Sequence, residues 1–437
     1  MFKTKFKSDA AATTQTTGSQ ASKNPPSPTA AAEQQNDVER TPVPPNEPPG
    51  PFSTDPAHFA QRIDPNKLAL SRPCCIGEFS LDRTRRQQLG RSRVRYFNER
   101  TLGRKLRGAN LAENFHTFVP KGDEAEGIEQ LLHWIMAMSA PNSLLRKTVH
   151  ECDFVLWRGT ITRLSISPYD ANAFGVGVKI ACTKHKGVYF VSEFDTEAKQ
   201  RSENNRNDFQ RRTCYGGFKF EQLVTVDDLA PAAQQQHHGT ASMAEPVDQN
   251  NEFVGIFKAT LSSSLADVGG GGGDQSGGAG AVPSPLRLLY GAEIDCISPL
   301  YGEFMEIKTQ YKAIGQGKGF VHKALKWWIQ SYLIGIKQMI IGTHENLILG
   351  RVELFPVDSL PKLGSSCWSG PVCLQFLFQF LHYIRRCLDA SPEGAILVAE
   401  RQPNAREFKF WLIGPDEADA QREHRVLSDA FKNYLWQ

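Results

Sequence analysis

Two short motifs on consecutive apolar segments bring together the residue types of a hydrolytic site. The first is Glu293-Ile-Asp295 and the second is Glu306-Ile-Lys308. If both segments are β-strands, alternate side chains share a face, so Glu293 lies beside Asp295 and Glu306 beside Lys308. Pairing of the two strands, about 4.8 Å apart, would gather three carboxylates and one ammonium group in a small volume.

Carboxylates that are crowded together raise one another's pKa, so this arrangement requires compensating positive charge. Hard divalent cations prefer oxygen ligands, and two such ions about 3.5–4 Å apart can hold both oxygens of a phosphodiester displacement. We therefore expect a divalent metal, Mg²⁺ or Mn²⁺, bound as two ions, with Lys308 polarising the scissile phosphate. Acid–x–acid followed by acid–x–Lys resembles the PD-(D/E)xK nuclease superfamily. The alternative is two amphipathic edge strands with solvated charges, because each motif alone is common.

The segments around these motifs alternate between strand and helix patterns. Spacing of two or about 3.6 between apolar residues decides between the two. Strands are predicted at residues 153–164, 175–182, 188–194, 286–298, 302–311, 338–342 and 347–355, with a hairpin over 396–412. Helices are predicted at residues 126–138, 218–224, 321–334 and 372–388, with a final helix reaching 434. This order predicts an α/β fold (α+β mixed), in which helices flank a central mixed β-sheet.

Composition divides the chain into one domain and three segments of low complexity. Residues 1–55 are rich in Ala, Thr, Gln, Ser and Pro and contain few large apolar residues, so they are predicted to be a disordered tail. Residues 56–437 are predicted to form a single domain. The stretches near 230–251 and 262–285, the second of which contains a run of glycines, are predicted to be disordered loop insertions in that domain.

Charge and cysteine usage restrict the class of protein. The net charge is only +3, but residues 82–107 contain nine arginines and Lys105 and only two acidic residues, Asp82 and Glu99. This basic patch suits sequence-independent attraction of RNA phosphates, and a solvated basic surface is the alternative. Nine cysteines without a C-x-x-C pair indicate a reducing compartment. We find no apolar run near the roughly 18–20 residues of a membrane span and no secretory signal, which leaves the cytoplasm or the nucleus.

Several further blocks of sequence resemble the DXO family of eukaryotic 5′-end decapping and pyrophosphohydrolase nucleases, which has this nuclease fold. They occur in the family's order over roughly residues 70–355. The blocks are Ile76-Gly-Glu-Phe-Ser-Leu-Asp82, Trp157-Arg158-Gly159, Gly217-Phe-Lys-Phe-Glu221-Gln222, Leu289-Tyr-Gly-Ala-Glu293-Ile-Asp295, Glu306-Ile-Lys308 and His322-Lys-Ala-Leu-Lys-Trp-Trp-Ile-Gln330.

The resemblance implies roles for individual residues. Metal ligands would be Glu221, Glu293, Asp295, Glu306 and the backbone carbonyl of Ile307. Catalytic contacts to the scissile phosphate and water would come from Glu293, Asp295, Glu306, Lys308 and Gln330. Substrate would also be bound by Arg85, Glu126, Trp157, Arg158 and Gly159. A surface glutamate at position 221 and a core amide at position 330 are the alternatives for those two residues.

The family's chemistry gives the expected function. It comprises removal of aberrant caps, including NAD caps, hydrolysis of 5′-triphosphate ends and 5′-to-3′ digestion of RNA. The partners implied are RNA 5′ ends, capped, NAD-capped or triphosphorylated, and a 5′-to-3′ exonuclease, with no membrane. The implied location is the nucleus. There are two alternative functions. One is a general nuclease of the same superfamily, and the other is a catalytically weak RNA-binding adaptor or activator of a 5′-to-3′ exonuclease.

Overall fold

The structure is a computed structural model that describes residues 49–434 apart from 62, 65–68, 123–126, 141, 171–174, 228–244, 265–282 and 318. The described residues all fall within one compact unit, Val43–Gln437. Glu126, most of the predicted tail and the central parts of both predicted insertions lie outside the described residues.

Strands and helices are mixed along the described chain. The strands are β1 (Phe52–Ser53), β2 (Cys74–Leu81), β3 (Gln87–Leu89), β4 (Tyr96–Phe97), β5 (Phe154–Trp157), β6 (Val178–His185), β7 (Val188–Phe194), β8 (Thr225–Val226), β9 (Glu252–Leu261), β10 (Leu286–Glu293), β11 (Cys296–Ile297), β12 (Phe304–Tyr311), β13 (Gln338–Glu345), β14 (Ile348–Pro356), β15 (Ile396–Arg401) and β16 (Glu407–Ile413). The helices are α1 (Pro56–Ala60), α2 (Glu129–Ala137), α3 (Leu145–Thr148), α4 (Arg158–Ile166), α5 (Glu197–Asn204), α6 (Asp208–Val224), α7 (Phe320–Tyr332), α8 (Leu360–Gly364), α9 (Gly370–Asp389), α10 (Ala418–Glu423) and α11 (Asp429–Lys432).

Two mixed sheets, rather than the single central sheet predicted, form the framework. Ten strands pair in the order β1-β16-β15-β6-β7-β5-β10-β9-β2-β3, and six in the order β14-β13-β12-β11-β4-β8. In the first sheet β5 runs parallel to both β7 and β10. In the second, β12 runs parallel to β13 and β11 to β4. The mixed α/β class is therefore confirmed, whereas the number of sheets depends on long-range pairings that local patterns do not encode.

The predicted strand over residues 153–164 is wrong in its second half. β5 ends at Trp157 and α4 begins at the next residue, Arg158. Both Ile161 and Leu164 are fully buried. Their spacing of three is that of one helical face, whereas a strand would place them on opposite faces. β5 has parallel neighbours on both sides, and such a strand is apolar on both faces. Its sequence therefore lacks the alternation that would have shown where the strand ends and the helix begins.

β10 shows the expected alternation and carries the first acidic motif to the junction of the two sheets. Leu286, Leu288 and Tyr290 pack on one face, and Leu289 on the other. A Cβ at Gly291 would lie 2.4 Å from the Trp157 ring, so only glycine fits there. β10 ends at Glu293, and the chain enters the second sheet three residues later, at Cys296 of β11.

The long helix α7 covers one face of the sheets, as its apolar spacing predicts. Trp327 and Trp328 are 6% and 4% exposed and belong to the main core. α7 packs against α4. The paired tryptophans are thus core residues that anchor α7.

The predicted limits of the tail, of the second insertion and of the last helix differ from the structure, because residues near them are buried. Phe52 lies inside the predicted tail, yet β1 pairs with β16 and the Phe52 ring packs against Phe59. Ser264 lies inside the second predicted insertion, yet it is fully buried and its backbone N–H donates to Gln375 at 2.8 Å. The predicted last helix is two short helices, α10 and α11, separated by a segment whose Leu427 enters the core.

The cysteines agree with a reduced protein. All nine cysteines are described, and each is a free thiol. No helix among the described residues is both long and apolar enough to cross a lipid bilayer.

Candidate active site

Arg158, Glu306 and Lys308 form a buried set of ion pairs, which we call the Glu306 cluster. One oxygen of the Glu306 carboxylate accepts a hydrogen bond from the Arg158 guanidinium at 2.9 Å, and the other accepts from the Lys308 ammonium at 2.5 Å. Glu306 is 2% exposed and Arg158 is 8% exposed. Each oxygen of this buried carboxylate is therefore matched by a cation, as buried charges require.

The pKa values of the Glu306 cluster follow from this matching. Burial raises the pKa of Glu306, but the charges of Arg158 and Lys308 outweigh burial and lower the pKa to about 2. Burial lowers the pKa of Lys308, but the carboxylates of Glu306 and Asp295 outweigh it, so the pKa is raised. The pKa of Arg158 is raised by the same balance. All three groups are charged at neutral pH.

Asp295 connects this cluster with an open cleft. Its Oδ2 accepts a hydrogen bond from the backbone N–H of Ile307 at 2.7 Å and lies 3.8 Å from the Lys308 ammonium. Lys308 therefore lies between the carboxylates of Asp295 and Glu306.

An open cleft lies where the two sheets meet, and we call it the acidic cleft. Seven carboxylates but only three guanidinium groups line it. The carboxylates are those of Glu221, Asp227, Glu245, Asp248, Glu252, Glu293 and Asp295, and the guanidinium groups are those of Arg83, Arg93 and Arg95. This excess of negative charge opposes the entry of a polyanion unless further positive charge is bound.

Three acids of the cleft have raised pKa values, in contrast to Glu306. The Glu293 side chain is exposed to the cleft, yet the surrounding protein removes hydration and, with the charges of Glu252 and Asp295, raises its pKa to about 8. Burial and the charge of Glu306 raise the pKa of Asp295 to about 6. Burial, Asp295 and Glu293 raise the pKa of Glu221 well above its ordinary value.

Glu252 is a member of the site that the sequence did not reveal. Its carboxylate, 9% exposed, lies 2.6 Å from the ammonium of Lys121 and 2.9 Å from the guanidinium of Arg85. Glu252 begins β9, and β9 pairs with β10 so that Val254 lies opposite Glu293. An acid at the first residue of an apolar strand was the available signal, but its proximity to Glu293 depends on the pairing of β9 with β10, which are separated in the sequence by the second predicted insertion.

The other predicted substrate-binding residues differ in what the structure shows of their surroundings. Trp157 donates its ring N–H to the carbonyl of Gly127 at 3.0 Å. At Gly159, in the first turn of α4, an added Cβ would meet no atom within 4 Å, so the backbone there is open. Gln330 is half-buried on α7, and its side chain makes no hydrogen bond to another described residue. Arg85 donates to the backbone carbonyl of Asn250 at 3.3 Å in addition to pairing with Glu252.

The predicted pairing of the two motif strands is wrong in detail. β12 pairs with the short β11 through Cys296 and Met305, whereas β10 belongs to the other sheet. The predicted faces are correct on β12, because Glu306 and Lys308 contact one another while Met305 and Ile307 enter the opposite core. In the described part of the chain, His, Cys, Asp and Glu side chains do not converge in groups of three or more at metal-ligand spacing. The acids surround one cleft without being preassembled.

The chemistry of the cleft nevertheless fits a hard divalent cation. Its lining supplies many carboxylate oxygens, the ligands that Mg²⁺ and Mn²⁺ prefer. The raised pKa values of Glu221, Glu293 and Asp295 show that these carboxylates lack sufficient positive charge nearby. A bound cation would supply that charge.

Comparison with known proteins identifies the class. The sequence matches the profile described as "RAI1 like PD-(D/E)XK nuclease" over residues 71–270 and 284–432. The chain belongs to this family of nucleases, which confirms the resemblance seen in the motifs and makes the protein a hydrolase.

Individual relatives agree. The sequence is similar to "Decapping nuclease dom-3" of Caenorhabditis elegans, with 31% identity over 325 residues, which cover 74% of this chain and 75% of that protein. The fold is similar to Candida albicans Rai1 in complex with pU5-Mn²⁺, with a TM-score of 0.67, 17% identity and coverage of 88% and 99%. It is also similar to Scheffersomyces stipitis Rai1 in complex with (3′-NADP)⁺ and calcium ion, with a TM-score of 0.65, 18% identity and coverage of 86% and 99%.

Proposed function

We propose that this protein is a metal-dependent quality-control nuclease of RNA 5′ ends. It removes aberrant or NAD caps, hydrolyses 5′-triphosphate ends and digests RNA in the 5′-to-3′ direction. The observation that carries the proposal is the junction between the acidic cleft and the Glu306 cluster, where unneutralised carboxylates lie beside a fixed ammonium and a fixed guanidinium. This combination suits phosphodiester hydrolysis by a nuclease of the family to which the chain belongs.

Glu221, Glu293 and Asp295, together with Glu306, would hold divalent cations, with the carbonyl of Ile307 as a further oxygen donor. When bound, such ions neutralise phosphate charge and provide Lewis-acid polarisation. The oxygen donors of the site support Mg²⁺ or Mn²⁺ as the metal and two as the number of bound ions. The Mn²⁺ and calcium ion named with two structurally similar proteins support a divalent metal.

The protein's own residues would position the reacting phosphate. Lys308 keeps its proton, since the neighbouring carboxylates raise its pKa, and its ammonium can donate to a phosphate oxygen in the cleft. Arg158 keeps its charge and its orientation because Glu306 accepts from it. Fixed donors of this kind stabilise the charge that develops in a phosphoryl transition state without reorganising. Gln330 on α7 is proposed to add a neutral donor and acceptor for phosphate or water.

The RNA 5′ end as substrate rests on the relatives. The C. elegans relative is named a decapping nuclease. The pU5 ligand of the C. albicans protein and the (3′-NADP)⁺ ligand of the S. stipitis protein support RNA 5′ ends, and NAD-capped ends among them, as substrates here. Arg85, which pairs with Glu252, and Glu126 are both proposed to contact the substrate.

The decisive experiment compares RNAs that carry triphosphate, unmethylated cap, mature cap, NAD or 5′-hydroxyl ends, with and without a chelator. We expect hydrolysis of the triphosphate, NAD and incomplete-cap ends, and its loss with chelator. A double variant, Glu293→Gln with Asp295→Asn, is expected to lose hydrolysis and retain RNA binding. Activity equal to that of the unaltered protein in this variant would reject the site.

A catalytically weak adaptor that binds RNA or activates a 5′-to-3′ exonuclease is the alternative function. The intact acidic set and the paired Lys308 favour catalysis, since binding alone requires no excess of carboxylates in the cleft. Stimulation of an added 5′-to-3′ exonuclease by the inactive double variant would reveal the adaptor role. Residence in the nucleus is proposed from the family resemblance, and imaging of the tagged full-length chain tests it.

A further inference from the structure

Three arginines line the acidic cleft together with the proposed metal ligands. Arg95 precedes β4, and its backbone carbonyl accepts from the N–H of Ile297 at 2.9 Å, next to the acidic motif. Val94 is buried at 8% exposure. Arg93 and Arg95, on either side of Val94, both line the cleft. Arg83 lines the same cleft.

Two of these arginines are held by carboxylates that line the mouth of the cleft. The Arg95 Nε lies 3.8 Å from Asp227, whose side chain is 78% exposed. Arg83 lies 3.5 Å from Glu245, 70% exposed, and 3.3 Å from Asp248, 7% exposed. The Arg93 side chain makes no ion pair or hydrogen bond with any other described residue.

The pairs of Arg95 with Asp227 and of Arg83 with Glu245 involve exposed carboxylates and are therefore weak. A guanidinium can bind a phosphate through two parallel hydrogen bonds, which a single carboxylate 3.8 Å away does not provide. A phosphate that enters the cleft would therefore displace Asp227 from Arg95, and Glu245 from Arg83, at little cost.

We propose that Arg83, Arg93 and Arg95 form a second phosphate-binding subsite, which holds phosphates of the RNA strand other than the reacting one. In the absence of RNA, Asp227 and Glu245 occupy two of its three arginines and lower its affinity for anions. The proposal rests on the proposed function, since it takes RNA as the substrate. It explains how a cleft lined mainly by carboxylates admits a polyanion.

The test measures binding of a labelled, single-stranded 5′-hydroxyl RNA to the Glu293→Gln, Asp295→Asn protein, which does not consume it. Arg95→Gln is expected to weaken binding about tenfold, the value of one charged hydrogen-bonded contact. The slope of log affinity against log salt should fall by about 0.7, as for one lost phosphate contact on a single strand. Asp227→Asn is expected to strengthen binding by up to about fivefold, because it removes a competing anion.

The matched control is Arg91→Gln. Arg91 belongs to the same basic stretch but lies outside the lining of the cleft and is paired with Glu78 at 2.7 Å. Its replacement removes the same charge and is expected to leave binding unchanged. Equal weakening by Arg91→Gln and Arg95→Gln would assign the effect to net charge and overturn the subsite. Unchanged or weaker binding by Asp227→Asn would overturn the competition.

Kinetics of the otherwise unaltered protein separate this proposal from the proposed function. Arg95→Gln should raise KM and leave kcat unchanged, the signature of lost uniform binding. Hydrolysis by the unaltered protein with no effect of Arg95→Gln on KM or on binding would reject the subsite and leave the function standing. Absence of hydrolysis on every RNA end would reject the function instead. Thermal unfolding of each variant, compared with its parent, excludes misfolding as the cause.

Discussion

Glu306 and Glu293 are carboxylates of the same site with opposite electrostatic behaviour. Glu306 is buried between Arg158 and Lys308, and its pKa is lowered to about 2. Glu293 faces the acidic cleft beside Glu252 and Asp295, and its pKa is raised to about 8. Desolvation raises the pKa of both groups, so the neighbouring charges make the difference.

This contrast separates a carboxylate that already has its cations from carboxylates that lack them. A buried carboxylate with a cation on each oxygen fixes those cations in place, and its removal leaves two buried charges uncompensated. A group of ionised carboxylates without nearby cations destabilises the fold. Such groups occur at sites where the protein uses them for its function. The Glu306 cluster and the acidic cleft should therefore respond in opposite ways to neutralisation.

The largest expected effect is loss of stability on neutralising Glu306. Glu306→Gln leaves the buried Arg158 and Lys308 without their shared carboxylate, and the free energy of unfolding should fall by about 3 kcal/mol. Denaturant unfolding measures it. Glu303→Gln, directly before β12, is the control. The Glu303 pair with Lys337 is exposed, so this substitution should change the free energy of unfolding by less than about 0.5 kcal/mol. Equal effects would abolish the contrast.

Divalent cations should stabilise the protein through the acidic cleft. At a concentration about a hundredfold above its Kd, Mn²⁺ or Mg²⁺ adds about 2.7 kcal/mol to the free energy of unfolding. Thermal unfolding with the metal and with chelator measures the difference. The Glu293→Gln, Asp295→Asn protein should show little of this gain, and an undiminished gain there would place the metal elsewhere.

Neutralising Glu221 should stabilise the fold in chelator and abolish hydrolysis in the presence of metal. The pKa of Glu221 is raised by burial, Asp295 and Glu293, so its ionised form is unfavourable in the folded chain. In chelator at neutral pH, Glu221→Gln is expected to add about 1 kcal/mol to the free energy of unfolding, while hydrolysis with metal is lost. A loss of stability similar to that of Glu306→Gln would show that Glu221 is structural.

The smallest expected effect is a change in the pH dependence of stability. A carboxyl group whose folded pKa is raised binds more protons in the folded state, so its contribution is present below the unfolded pKa and is lost as pH rises through the folded pKa. For Glu293 this window runs from its ordinary pKa of 4.5 to about 8. In chelator, Glu293→Gln should therefore flatten the decline of stability over that window relative to the unaltered protein. An unchanged decline would remove Glu293 as its source.

Local patterns predicted most elements of the fold and the main chemical residues of the site. The predicted strands 175–182 and 188–194 correspond to β6 and β7, which a turn at Lys186 and Gly187 joins with positive φ values of 49° and 77°. Glu306 and Lys308 share a face, and helix α7 buries Trp327 and Trp328. These features follow from spacing along a single segment. The start of α4 at Arg158 was missed, because an apolar strand leads directly into a helix without a capping side chain.

What the sequence determined by itself is the set of chemical groups and the face of each strand or helix on which they lie, since backbone geometry fixes periods of two and 3.6. Tertiary structure decided the rest. It placed Glu293 and Glu306 on strands of different sheets, brought Glu252 beside Glu293 and set Arg158 against Glu306. Those contacts join residues far apart in the chain, and they decide which carboxylate gains a cation and which is left to bind one.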